Sequence, residues 1–379
     1  MKIEAIHLSV LDLPGRSSLF SLTRSREDGR FYWRSQTQGP AETEIHVLHV
    51  RTTEGIEGIC TVGDARYSTL RPIELEHMRA LAVGHDALDR RGLRELLHHA
   101  ARSAFLAPGW FGALDNCLWD IHGKAEGRPV HELIGTARPY CEAYYNIRSG
   151  DLDAALVDAE YAMGEGFAAL KDHFAQPWRR NCDWLRRLRQ TVGGAIALMH
   201  DAAGCQYTLD EALAVGKVLE ETDFLWFEEP LPDRSLVELQ ALCKSLSIPV
   251  LALETLMHDM DLCRAWLQVG ATDLVRANAR VGATDLLDLA EFAARHNTSV
   301  ELNGPGGLFG LVHAHMVCAI PNTSRYEYFP DGSRDELGRE IGLLNPPVPA
   351  NGVIMPPSGP GWGAEWDWQR FRAKTTATL

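Results

Sequence analysis

From about residue 165 onward the chain repeats one hydrophobic pattern. A short, nearly continuous apolar run ends on a polar or charged residue, and a stretch with apolar positions at i, i+3 and i+4 follows. The runs are EGFAALKDHF, GGAIALMHD, FLWFEE, IPVLALE, ATDLVRAN, NTSVELN and TSRYEYF. Their polar ends are Lys171, Asp201, Glu228, Glu254, Asn278, Asn303 and Glu327, spaced 30, 27, 26, 24, 25 and 24 residues apart. Stretches such as LDEALAVGKVLEE and ATDLLDLAEFAARH between them carry the helical period. Strands buried on both faces read as continuous apolar runs, so the pattern predicts parallel strands alternating with helices, a (β/α) barrel. EAYYNIRSG at 142–150 supplies an eighth strand, the first in order. The polar ends then gather at one rim, where barrel active sites lie. Alternation along a strand lets only one of Glu228 and Glu229 point inward.

The remaining segments have another texture. Residues 1–60 hold strand-like runs, KIEAIHLSVL and TEIHVLHVRT, around the long polar stretch SREDGRFYWRSQTQGP, and residues 70–135 are mostly helical in period. After about Ala350 the chain is rich in Pro, Gly and Trp. The expected organisation is an α+β capping domain over 1–138, a barrel of modified TIM type over 139–350, and a tail over 351–379 that returns to complete the cap. The polar stretch, with Arg24, Arg26, Arg30, Trp33 and Arg34, is expected to be a loop over the barrel mouth whose arginines bind an anionic substrate.

Charge and cysteine content narrow the function. The formal net charge of −14 with no basic tract argues against nucleic acid or an anionic membrane as partner. The eight cysteines are scattered with no CxxC pair, which fits reduced thiols in a cytoplasm. The N-terminal run reads as a strand, not as a signal peptide, and no segment is long and apolar enough to span a bilayer.

Asp201, Glu228 and Glu254 end three consecutive strands, about 4.8 Å apart. Converging carboxylates repel one another unless a cation joins them. Mg²⁺, a hard ion that takes oxygen ligands, fits; the competing reading is rim charges paired with Lys or Arg. Lys171 and His173 are two apart and face the same mouth, where either can move a proton near neutrality, Lys171 with its pKa lowered by a metal and a second cation; an ion pair with the carboxylates is the competing reading. Arg276 and Glu301 each lie two residues before an inward Asn, on neighbouring strands, and are expected to pair. His258 follows Glu254 in a rim loop, and His200 is expected to face away from the barrel axis with a structural role.

These stretches resemble the enolase superfamily, in the branch with mandelate racemase and the acid-sugar dehydratases. ALDNCLWDIHGKAEGRPVHELIG at 113–135 resembles its signature helix and linker, and GFAALKDH its Lys-x-Lys base motif. LMHDAAG, WFEEP and LALET resemble its three metal-ligand strands; ARVGATDLLDLAEFA and PNTSRYEYF resemble the sixth and eighth units. The resemblance implies Mg²⁺ on Asp201, Glu228 and Glu254, and removal of a proton α to a substrate carboxylate. It makes His173 the proton carrier, Lys171 its electrostatic partner, and Glu327 a group that hydrogen-bonds the substrate carboxylate. The sequence departs from the pattern at His173, where many relatives have a second lysine, at Ala203, where many have Asn, and at Asn278 and Asn303, which replace an Asp–His dyad. Asparagine does not titrate, so acid–base capacity remains on one face only. Dehydration of a sugar acid then outranks racemisation; a cycloisomerase, a racemase and a non-catalytic relative that binds metal and sugar acid are the alternatives. Asn278, Asn303, Arg24, Trp33 and His258 are the expected substrate contacts, and a homo-oligomer acting on a small carboxylate is expected.

Overall fold

A computed structural model describes residues 1–13, 19, 21–27, 29–35, 43–63, 69–330 and 335–379. The N-terminal strands are β1 (Ile3–Asp12), β2 (Leu22–Glu27), β3 (Arg30–Ser35), β4 (Glu44–Thr52) and β5 (Glu57–Thr61). Three helices follow: α1 (Pro72–Ala82), α2 (Arg90–Ala104) and α3 (Gly112–Glu126). The repeating region supplies β6 (Cys141–Asn146), β7 (Ala169–Asp172), β8 (Ala197–Asp201), β9 (Phe224–Glu228), β10 (Val250–Ala252), β11 (Leu274–Ala277), β12 (Val300–Leu302) and β13 (Tyr326–Tyr328). Last come β14 (Val353–Ile354) and β15 (Thr375–Thr378).

Strands β6 to β13 pair in parallel in the spatial order β12-β11-β10-β9-β8-β7-β6-β13, a nearly closed barrel with its seam between β12 and β13. Its interior is layered. Tyr144, Ala169, Met199, Trp226 and Leu251 form a dry apolar cluster, with Trp226 edge-on to Tyr144 at 5.8 Å. Two residues further along three of these strands stand Lys171, Asp201 and Glu228, so a period of two lifts the polar groups directly above an apolar floor.

The second sheet, β15-β1-β4-β5, is antiparallel, and β15 brings the C-terminal tail onto β1. The polar stretch read as a loop is largely a hairpin, β2–β3, with Arg24 opposite Trp33. Its alternation was hidden among charges: Tyr32 is buried while its neighbours Phe31 and Trp33 are exposed. Residues 36–40 of that stretch lie outside the described residues.

The signature helix α3 joins sheet, barrel and tail through its buried polar residues. Asp115 accepts from the Thr284 amide (2.9 Å) and hydroxyl (2.7 Å). Asn116 donates to the Ala279 carbonyl and accepts from the Ala283 amide, both at 2.9 Å. Asp120 accepts from the Ile59 and Trp362 amides, both at 3.0 Å. At Gly112 any Cβ would lie 1.9 Å from the Arg280 carbonyl, so only glycine lets the helix start against the loop after β11.

On the outer face of the barrel His200 Nδ1 meets Asp172 Oδ1 at 2.8 Å, both fully buried, and its ring stacks on Phe227 at 5.7 Å. His200 thus has the structural place expected for it. Burial opposes its charge, but Asp172 outweighs burial and pushes its pKa up to about 10. The pair joins β7 to β8 behind the rim. Asp172→Ala should therefore lower stability by on the order of 3 kcal/mol, read as a shift in urea midpoint with an unchanged slope; a change within a few tenths would show that the pair is not holding these strands.

Candidate active site

Lys171 on β7 is the centre of the rim. It is 1% exposed, and its Nζ lies 2.6 Å from Glu327, 3.1 and 3.2 Å from the two Glu228 oxygens and 3.4 Å from Asp201 Oδ2. Arg276 on β11 is the second fixed cation. Its Nη2 lies 2.7 Å from Glu228 and 2.9 Å from Glu327, and its Nε 3.8 Å from Glu254. Tyr144 Oη accepts from the same guanidinium at 3.3 and 3.4 Å.

This corrects the expected pairing of Arg276 with Glu301. The two are register partners across β11 and β12, but the guanidinium rises to Glu228 and Glu327. Glu301 is satisfied by hydroxyls instead, at 2.8 Å from Ser299 and 2.7 Å from Ser324, and burial raises its pKa. A long side chain reaches the layer with more negative charge, and the seam beside β13 supplies neutral donors for the carboxylate left behind.

The carboxylates outnumber their cations. Among the described residues, the ion pairs of Asp201, Glu228, Glu254 and Glu327 with fixed cations are those to Lys171 and Arg276, four carboxylates to two cations. Burial pushes Glu228 up to about 7, against Arg276 and Lys171 and with help from Asp201 and Glu327. Beside it Glu229 is pushed well above the carboxylate range by burial and then by Glu254 and Asp201. Asp201 is held well below it: burial opposes, but Lys171 and His173 prevail. Lys171 is likewise held well above the usual lysine value, since Glu228 and Glu327 outweigh its burial. The lowered Lys171 pKa expected beside a bound metal and a second cation concerns the loaded site; the carboxylates by themselves act in the opposite direction.

Glu254 reaches the rim through backbone distortion. Inward positions on β10 include Leu251, so plain alternation would send Glu254 outward. Leu253 instead adopts φ +92°, a conformation rare for a branched residue. Asp233 holds it there, accepting from the Leu253 amide at 2.6 Å and from the Thr255 amide and hydroxyl at 2.7 and 2.6 Å. Asn303 Nδ2 then donates to Glu254 Oε2 at 2.8 Å. Trp226 Nε1 donates to Glu228 at 3.1 Å. With Glu228 drawn to Lys171 and Arg276 and Glu254 to Asn303, the oxygens of Asp201, Glu228 and Glu254 do not all lie within 4.8 Å of one another. The donor set remains all-oxygen, and its uncompensated charge equals that of one divalent cation.

His173 stands above Lys171, with its side chain 36% exposed and Nε2 3.3 Å from Asp201 Oδ2. The opposite side holds amides. Asn278 donates to the Asn303 carbonyl at 2.6 Å and accepts from the Arg280 amide at 2.8 Å, so both ends of its side chain are committed to backbone. Nearby His313 is buried, bonded to the Ala279 amide and the Gly304 carbonyl, and burial drops its pKa to about 3. Glu327 is also enclosed, accepting from Lys171, Arg276, Asn146 (3.4 Å) and the Gly304 amide. His258 sits where the Gly109 region of the cap meets the β11 loop, and burial, then Arg280, lowers its pKa to about 4.

The hairpin β2–β3 docks on the loop after Asp201. Gln206 Nε2 donates to the Trp33 carbonyl at 2.7 Å and Gln206 Oε1 accepts from the Trp33 amide at 3.2 Å. Arg30 bonds Glu211 and the Gln206 carbonyl, while Arg24 lies over the Phe31 ring at 4.1 Å. The Trp33 side chain is exposed. Next to this contact, loops after β8, β9 and β10 line a cavity of about 470 Å³ that includes Ala203, Tyr207, Glu229 and Thr255. Tyr144, Asn146 and Asp233 are the residues around the rim that sequence reasoning left unassigned. Arg276 was flagged as inward, but nothing in the spacing said how far up it would reach.

Comparison with known proteins identifies the family. Residues 154–370 match the family described as Enolase C-terminal domain-like, and residues 36–135 match the N-terminal domain of the mandelate racemase / muconate lactonizing enzyme family. A D-galactonate dehydratase family member from Catenulispora acidiphila is 25% identical, over 90% of this chain and 87% of its own. An L-Lys-D/L-Arg epimerase from Methylococcus capsulatus is 25% identical over 67% of this chain and 70% of its own. The solved D-glucarate dehydratase from Agrobacterium tumefaciens, complexed with magnesium, superposes with a TM-score of 0.80 at 26% identity over 100% of both chains. The chain belongs to the enolase superfamily, in its mandelate racemase / muconate lactonizing enzyme branch.

Proposed function

We propose that the protein is a Mg²⁺-dependent dehydratase that converts a sugar acid to a 2-keto-3-deoxy acid. The observation that carries this reading is the one-sided acid–base supply. His173 is the titratable group open to the mouth, and the amides of Asn278 and Asn303 stand across from it. A dehydratase relative that aligns over most of both chains, and a magnesium-bound dehydratase that superposes over the full length, support the same chemistry.

Asp201, Glu228 and Glu254 would hold the ion, and bound Mg²⁺ supplies positive charge against the ene-diolate that forms when the α-proton leaves. His173 Nε2 takes that proton. The imidazolium then gives it to the departing β-hydroxyl on the same face, which leaves as water, and the enol becomes the 2-keto acid. Lys171 remains a cation throughout and stabilises the developing negative charge from below. Glu327 and Arg276 hold Lys171 and Glu228 in place rather than meeting substrate. Asn303 orients Glu254, Asn278 clips the β11 and β12 ends together, and Asp233 fixes the turn that aims Glu254. Trp33 and Arg24 on the docked hairpin, with His258 on the far loop, are left as outer contacts to the sugar chain. Ring-closing elimination in a cycloisomerase would need the same single face, and product analysis separates the two. The enzyme is further proposed to be cytoplasmic, where eight free thiols stay reduced, and a homo-oligomer whose partner is a small acid, not nucleic acid or membrane.

Mono- and diacid sugars incubated with Mg²⁺ should include at least one that yields a 2-keto acid. His173→Asn should lose turnover by about 10²–10⁴ while Mg²⁺ binding stays intact. It should also stop exchange of the substrate α-proton with D₂O; exchange at the wild-type rate would transfer the proton to another group. Asp233→Ala should weaken Mg²⁺ binding about 10–100-fold through the released Glu254. Unchanged metal affinity there would mean that the turn does not aim the ligand.

A further inference from the structure

On the cap sheet, far in sequence from the barrel rim, β1, β4 and β5 each place a metal-ligating side chain at one spot. His7 and His49 are direct cross-strand partners, and Glu57 lies on β5 beside them. Among the described residues these are the one set of three His, Cys, Asp or Glu side chains whose ligand atoms all lie within 4.8 Å of one another. We propose that His7 Nε2, His49 Nδ1 and Glu57 Oε1 form a second metal site, for a zinc-like ion, separate from the Mg²⁺ site of the barrel.

Three observations bear on it. First, Glu57 Oε1 stands 3.6 Å from His49 Nδ1 and 3.9 Å from His7 Nε2. A tetrahedral ion with bonds of about 2.0–2.2 Å needs ligand separations of about 3.4 Å, so the two contacts of Glu57 need to close by only a few tenths of an ångström, while the two imidazole nitrogens lie within 4.8 Å of each other. Second, His49 is 5% exposed, and among the described residues its Nδ1 has no hydrogen-bond partner within 3.5 Å, the Glu57 carboxylate standing just beyond at 3.6 Å. At 3.6 Å the Glu57 carboxylate is too far for an ordinary hydrogen bond. A buried, unpartnered ring nitrogen aimed at a carboxylate is the state a ligand relieves. Third, the other nitrogen, His49 Nε2, is 3.2 Å from the buried Ser9 hydroxyl. If Nε2 donates there, the Nδ1 lone pair is left free, which is how metal-binding histidines are oriented.

Access and charge agree. The side chains of His7 and Glu57 are 37% and 36% exposed, which gives an ion an entry path and leaves a fourth position for water. The two imidazoles stack at 4.5 Å with planes 9° apart, so one ring must turn for both lone pairs to converge, and surface His7 is the one with room. Burial, then His49, lowers the His7 pKa, which keeps its ring neutral near pH 7; Glu57 is lowered too, first by His49. The neighbouring cations are already engaged: Arg51 with Glu4, Arg79 with Glu76 and the Ile6 carbonyl, and Lys124 with Asp120. An ion here would tie three strands of the cap sheet together, and its chemistry, two imidazoles and one carboxylate with an open position, suits Zn²⁺ better than Mg²⁺.

The test is Zn²⁺ titration of the full-length protein in excess Mg²⁺, followed by calorimetry, with Co²⁺ as an optical probe of tetrahedral nitrogen ligation. The wild type should take up one equivalent of Zn²⁺ and rise in Tm by mass action. Asp201→Asn, which removes a rim carboxylate, should keep that equivalent. His7→Gln and Glu57→Gln, both at the surface, should lose it, and Ser9→Ala should bind about 10–100-fold more weakly. No uptake by the wild type in excess Mg²⁺ would overturn the site and show an ordinary His–Glu pair. Uptake that survives His7→Gln but disappears in Asp201→Asn would overturn it as well, by assigning the ion to the barrel.

Discussion

Four carboxylates share two fixed cations at the mouth of this barrel, and the rest of the site is arranged around that imbalance. Lys171 and Arg276 each touch Glu228 and Glu327, so the two cations and two of the carboxylates form a compact core. Asp201 and Glu254 stand at its edge, Asp201 3.4 Å from Lys171 and Glu254 3.8 Å from Arg276, so the excess of negative charge is shared by the whole group. Groups this buried cannot remain ionised in excess without large cost, which is why Glu228 is pushed up to about 7. A divalent cation removes the excess without moving the strands. The same charge would loosen the hold of Glu228 on Arg276 and leave Lys171 facing the reaction.

The scaffold answers the repulsion by fixing each carboxylate from outside. Trp226 holds Glu228, Asn303 holds Glu254, and the Asp233 cluster keeps Leu253 at a positive φ that no local preference would choose. Glu229 also adopts a positive φ, +44°, where the chain leaves β9. The distorted residues thus follow the strands that bear Glu228 and Glu254. Backbone strain of this kind persists only where surrounding contacts over-determine it, and here those contacts are a single buried aspartate with three donors. Further out, Glu211 caps its helix and also receives Arg30 of the hairpin, so the cap is tied to the loop that follows Asp201.

Much of this was legible in the chain. The period of strand ends revealed the barrel and placed Asp201, Glu228, Lys171 and His173 at one rim, because alternation and spacing are local properties. What stayed hidden depends on reach and on distortion. Arg276 could be read as inward, but register alone pointed it to Glu301, and only the three-dimensional charge distribution sends it upward. Glu254 was placed at the rim by spacing although alternation argues against it; the missing cause is Leu253. Lys171 reads in the sequence both as a proton carrier and as an ion-pair partner of the rim carboxylates, and spacing alone does not choose between them. The β2–β3 hairpin escaped notice because charged and polar residues fall on both of its faces and leave no continuous apolar alternation. His7, His49 and Glu57 carry no motif at all; they meet only because β1, β4 and β5 are neighbours.

The most direct measurement is a crystal structure of the protein soaked in Mn²⁺, with the ion located by its anomalous signal. The charge account predicts one peak at the rim, bound by Asp201, Glu228 and Glu254 at about 2.1 Å, the spacing of a small octahedral ion. Glu228 should turn away from Arg276, whose guanidinium stays on Glu327. A rim without a peak, with Glu228 still bridging Lys171 and Arg276, would contradict it: the two cations would then be the whole complement of the site, and the negative charge would be neutralised by protons instead.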